Sequence, residues 1–200
     1  MNLQTKNRIL NVFEKHSGYA LTKDIRARGI HHKYLTELVK EGLIVRIRQG
    51  LYSLPEIEGY NSLYEALLAV PDGIICIGTA LSYYELTTWN PPDIHIAIPR
   101  GKKIVLPDYP PIKLYYFTKT FFEIGRNKIT LDSGQQISIY DKERTICDAV
   151  RYRNKIGIDI IKEALGEYVR RKDKNLNTLF EYASRLRIKS VLNQYLDVLL

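Results

Sequence analysis

Between Thr5 and Lys15 the apolar residues Ile9, Leu10, Val12 and Phe13 recur at helical spacing and make one stripe. Thr5 can cap this helix, and Ser17-Gly18 ends it. Thr22 can cap a second, short helix running through Arg28, with Gly29 as its stop. A third helix is predicted from about His31 to Glu41, ended by Gly42. Leu35, Leu38 and Val39 face inward on it; His32, Lys33, Thr36, Glu37 and Lys40 face outward. The period then changes. Leu43 to Arg48 reads as a strand, Gln49-Gly50 as a tight turn and Leu51 to Leu54 as the return strand, closed by Pro55. Because strand side chains alternate, Arg46 and Arg48 are expected on one face. Three short helices and a basic hairpin are the parts of a winged helix-turn-helix.

Glu56 to Gly59 reads as a linker, which predicts domains of residues 1–56 and 57–200. Beyond it Leu63 to Val70 forms an apolar helix, ended by Pro71-Asp72-Gly73. Ile74 to Ile77 is a buried strand, and Ala80 to Leu86 a helix. Ile94 to Ile98 and Ile112 to Phe117 read as strands. Ile129 to Leu131 and Gln136 to Tyr140 flank Asp132-Ser133-Gly134 as a hairpin. From Asp141 the period is helical, over about 142–153, 157–172, 175–187 and 189–199. The fold class is therefore α+β: an N-terminal winged helix, then a domain with a small mixed sheet and a helical C-terminal third.

Charge sharpens this picture. The net charge is +8, which favours a polyanionic partner. Residues 1–55 carry +6, residues 56–140 carry −2, and residues 141–200 carry +4. A helix with small polar and basic outer residues can enter the major groove, and a basic hairpin can follow the backbone or minor groove. The predicted contacts to double-stranded DNA are His32, Lys33, Thr36, Lys40, Arg46, Arg48 and Gln49. Further basic groups lie at Arg151, Arg153 and Lys155, at Arg170, Arg171, Lys172 and Lys174, and at Arg185, Arg187 and Lys189. Tyr152, Tyr168 and Tyr182 are interleaved with them, which makes RNA a further candidate partner.

Catalytic signatures are missing. Gly78-Thr79-Ala80-Leu81 lacks the glycine-lysine pattern of a phosphate loop, and there is no nucleophile elbow. Asp93, His95, Lys102 and Lys103 lack the further carboxylates that a metal-dependent nuclease needs. Asp93 and His95 read instead as a structural polar pair. Cys76 and Cys147 sit in apolar runs and read as buried thiols rather than a disulfide or a zinc site. No enzyme activity, cofactor or metal is expected. No apolar run reaches the length of a membrane span, and MNLQTKNRIL is unlike a secretion signal, so a cytoplasmic location is expected.

Four segments in order, RQGLYSLP, IGTALSYYELT, PPDIHIAIPRG and DKERTICDAVR, resemble the AbiEi antitoxin family of type IV toxin–antitoxin systems. The resemblance spans nearly the whole chain, though residues 100–128 match nothing in the pattern. It implies that the N-terminal domain represses a shared operon. It also implies that the C-terminal domain opposes a nucleotidyltransferase toxin without binding it stably. Arg170, Arg171 and Lys172 are the candidate residues there. Glu143, Arg144, Thr145 and Asp148 fall on the family's E-R-T motif, with Glu143 and Asp148 as candidate ion partners. The alternative is a stand-alone winged-helix regulator with a ligand- or partner-binding second domain.

Overall fold

The computed structural model describes residues 2–56, 61–132 and 134–197. The predicted linker at 57–59, the turn residue Ser133 and the end of the last helix beyond 197 lie outside the described residues. The chain divides into two compact units, residues 1–61 with 130–135, and residues 62–129 with 136–200.

The first unit runs α1 (Leu3–Lys15), β1 (Tyr19–Leu21), α2 (Thr22–Ala27), α3 (Lys33–Lys40), β2 (Val45–Arg48) and β3 (Leu51–Ser53). Asn2, not Thr5, caps α1: its side chain accepts the Thr5 backbone N–H at 2.8 Å. Thr22 is the first residue of α2 rather than its cap, because Leu21 occupies the cap position as the end of β1. Gly29 and Gly42 stop α2 and α3 with φ of +71° and +70°, a region open to glycine at little cost. β3 lies between β1 and β2, antiparallel to both. Ile9, Val12, Phe13, Ala20, Ile25, Ile30, Leu35, Leu38 and Ile44 form the core beneath the helices. Of the three inward residues predicted for α3, Leu35 and Leu38 are buried and Val39 is half-buried.

The second unit runs α4 (Ser62–Ala69), β4 (Ile74–Ile75), α5 (Ile77–Tyr83), β5 (Ile94–Pro99), β6 (Ile112–Phe117), α6 (Lys119–Phe122), β7 (Arg126–Thr130) and β8 (Gln136–Tyr140). Five helices follow: α7 (Lys142–Arg151), α8 (Arg153–Ile156), α9 (Ile158–Arg170), α10 (Leu176–Arg185) and α11 (Lys189–Leu196). The sheet is mixed, in the order β6-β5-β4-β8-β7. β4 is antiparallel to β5 and parallel to β8, and β5 is parallel to β6. Ile74, Ala97, Tyr115, Phe117 and Tyr140 turn one sheet face toward α5, α7, α9 and α10, and this contact builds the main core. Both cysteines are buried and unpaired. Among the described residues no helix is long and apolar enough to cross a membrane, and no cluster of His, Cys, Asp or Glu suits a metal.

Candidate nucleic-acid interface

α3 exists because its apolar positions fall three apart on one side, Leu35 and Leu38, and both reach the core. That leaves a polar face. His32, Lys33, Thr36 and Lys40 are exposed on it, and Glu37 is half-buried. Two histidines stand at its start with stacked rings, centroids 4.5 Å apart. The Lys33 backbone N–H donates to His31 Nδ1 at 3.2 Å. Arg26, on α2, brings Nη2 to 3.3 Å from His32 Nδ1. An amide N–H and a guanidinium can only donate, so both Nδ1 atoms accept. That leaves Nε2 as the ring nitrogen able to donate in each. Two exposed N–H donors therefore sit at the start of α3, suited to acceptors such as phosphate oxygens or the N7 and O6 edge of guanine. Arg26 is a functional candidate that sequence reasoning missed. Its spacing of six residues from His32 crosses a helix end and leaves no periodic signal.

The hairpin carries the second group. Gly50 turns it at φ +82°. Arg46, Ile47 and Gln49 are exposed and Arg48 is half-buried, its Nη1 donating to the Gln49 carbonyl at 3.2 Å. The expected common face for Arg46 and Arg48 does not form. Arg46 pairs with Tyr52 but Arg48 pairs with Leu51, so the register slips by one residue at Ile47. Cross-strand neighbours share a face, and Tyr52 and Leu51 point opposite ways, so the two arginines do too. Val45 is 45% and Ile47 36% exposed on the hairpin.

In the second unit the E-R-T segment is interior. Asp141 caps α7, accepting the Arg144 N–H at 2.8 Å. Arg144 and Asp148 are wholly buried, with Nε 3.0 Å from Oδ1. Burial pushes the Asp148 carboxyl up, to about 6, against the pull of Arg144. Arg144 Nη1 donates to the carbonyls of Phe121 and Ile124, and its guanidinium lies 4.2 Å from the Tyr140 ring centroid. Asp148 is thus an ion partner, of Arg144, whereas Glu143 is held by hydrogen bonds. It accepts the Tyr168 hydroxyl at 2.9 Å and the Asn175 N–H at 3.1 Å. His95 is buried, and its Nδ1 accepts the Gly78 N–H at 3.2 Å while its backbone N–H donates to Thr79. A Cβ at Gly78 would lie 2.4 Å from the Trp89 ring, which is why this contact needs glycine. Burial, helped by Lys113, lowers the His95 pKa to about 4.

Arg170, Arg171 and Lys172 do come together, at the end of α9. Two of them are already paired. Arg170 contacts Glu167, and Arg171 holds Asp173 at 2.9 Å and donates to the Tyr84 carbonyl at 3.2 Å. Asp173 also receives Lys142. Lys172 is exposed. Tyr168 is buried, Tyr182 donates to Asp141, and Tyr152 packs on Tyr115, so these tyrosines are engaged in the core rather than set out as a stacking platform.

The fold is similar to the crystal structure of the RV2827C protein from Mycobacterium tuberculosis, at a TM-score of 0.54 over 96% of this chain and 78% of that one. At 13% identity the likeness is one of fold. No curated protein sequence matches. Residues 7–55, the stretch that holds α2, α3 and the β2–β3 hairpin, match the family described as transcriptional regulator, AbiEi antitoxin, and this match supports a general regulator or antitoxin role for the chain.

Proposed function

We propose that residues 1–56 form a winged helix that binds double-stranded operator DNA, with α3 in the major groove and the β2–β3 hairpin against the backbone. The observation that carries this is the exposed set His32, Lys33, Thr36 and Lys40 on α3, beside Arg46 and Gln49 on the hairpin, inside the stretch that matches a family of transcriptional regulators. Operator binding represses the protein's own operon. The second domain, residues 57–200, opposes a nucleotidyltransferase toxin encoded beside it, without a stable complex. The chain acts as a regulator and antitoxin in the cytoplasm, with no catalytic step of its own.

The test is a titration of Lys33→Ala and Thr36→Ala against operator and random duplexes. Each substitution should narrow the gap between the two by about 1–3 kcal/mol, the range for a good base contact. Parallel losses on both duplexes would reduce these residues to phosphate contacts. Growth rescue of cells expressing the neighbouring gene product separates the antitoxin reading from a stand-alone regulator, which would not rescue.

A further inference from the structure

The first unit has a second polar surface, along α1. Along α1 the residues Gln4, Asn7, Arg8, Asn11 and Lys15 fall on one stripe and, with Arg28 at the end of α2, line an open groove of about 570 Å³. Three of the six are cations, three are carboxamides, and none is a carboxylate; exposed Glu14, at the border of the stripe, is the one acidic residue of α1. An ordinary solvated helix face mixes both signs of charge. Asparagine is also a weak helix former, yet Asn7 and Asn11 stand one turn apart in the middle of a thirteen-residue helix. Both are exposed, and among the described residues neither side chain has a hydrogen-bond partner. Local propensity is given up here without an internal gain, which is the pattern of a surface kept for an external partner. Arg8 is held in place, its Nη2 donating to the Arg28 carbonyl at 2.7 Å. The chain then runs from Arg28 through Gly29 and Ile30 to His31 and His32, where Arg26 reaches the His32 ring. The stripe from Gln4 to Lys15 is about 16 Å long, enough to follow several phosphates.

We propose that this groove grips a phosphodiester backbone of the same DNA duplex: Arg8, Lys15 and Arg28 supply charge, and Asn7 and Asn11 donate amide hydrogens to phosphate oxygens. The inference rests on the DNA-binding reading above. It makes α1 a sequence-independent clamp beside the sequence-reading α3.

The test uses the full chain and two paired variants. Arg8→Gln with Lys15→Gln should lower the slope of log affinity against log salt by about two, with the ratio of operator to random affinity unchanged. Asn7→Ala with Asn11→Ala should raise the melting temperature, since alanine favours helix, and yet weaken both duplexes in parallel by about tenfold. A raised melting temperature with unchanged affinity, or an unchanged salt slope in the first pair, would overturn the clamp while leaving the α3 reading standing. Failure of the wild-type chain to bind any duplex at low salt would overturn the DNA reading itself.

Discussion

Arg144 is the largest of the fully buried side chains, and its surroundings explain why a guanidinium is tolerated there. It meets Asp148, two backbone carbonyls and two aromatic rings. Through the carbonyls of Phe121 and Ile124 it ties the connection between β6 and β7 to α7. That gives a structural task to part of the stretch 100–128, which the sequence pattern left blank. Asp148→Ala should cost about 3–5 kcal/mol of stability, because it strands a buried charge. Replacing Arg144 and Asp148 together by Met and Leu should recover only part of that loss, since the two carbonyls would then lack a donor. Denaturant unfolding of the single and double variants checks both. His95 makes a pH prediction. Its folded-state pKa, about 4, is below its unfolded value, so its contribution is complete above about pH 6.5 and is lost as pH falls toward 4. The loss should be about 3 kcal/mol. His95→Asn, whose Oδ1 can accept the Gly78 N–H in place of Nδ1, should flatten that part of the pH profile; an equally steep profile in the variant would exclude His95 as its source.

At the scale of elements, periodic signals were legible and non-periodic ones were not. β6 and β8 have the bounds read from the sequence, and α3 and α9 follow their apolar stripes. β1 was missed because Tyr19, Ala20 and Leu21 are all buried and do not alternate. α6 is four residues long and offers no stripe to detect. β7 begins at Arg126, earlier than expected, since Arg-Asn-Lys carries no apolar mark of a strand. The bulge in β2 left no trace in the sequence either, because a slip of one residue depends on the partner strand. It now changes the hairpin prediction. With the two arginines on opposite faces, the proposed DNA contact should not treat them alike. Arg46→Ala should reduce the salt slope by about one, as expected for one released counterion. Arg48→Ala should reduce it less, because Arg48 is half-buried and bonded to the Gln49 carbonyl. Titrations at several salt concentrations decide it, and equal reductions would argue against the bulged geometry on DNA.

For the whole molecule, charge and order of elements revealed more than any single motif. The +6 of residues 1–55 marks the stretch that matches the regulator family. The basic groups of the last sixty residues were a weaker guide, since a carboxylate two or three residues away neutralises two of the three candidates at the end of α9. Such pairings depend on which rotamers the fold selects, and the sequence shows only that both signs are near. The proposed function turns on operator recognition by the N-terminal unit. Its most direct test is a salt-dependent titration of the full chain against duplex DNA from upstream of its own gene and against a shuffled duplex of equal composition. Affinity for the upstream DNA should be higher by a factor of about a thousand or more, with both affinities falling steeply as salt rises. Equal affinity for the two duplexes, or none for either, would contradict it.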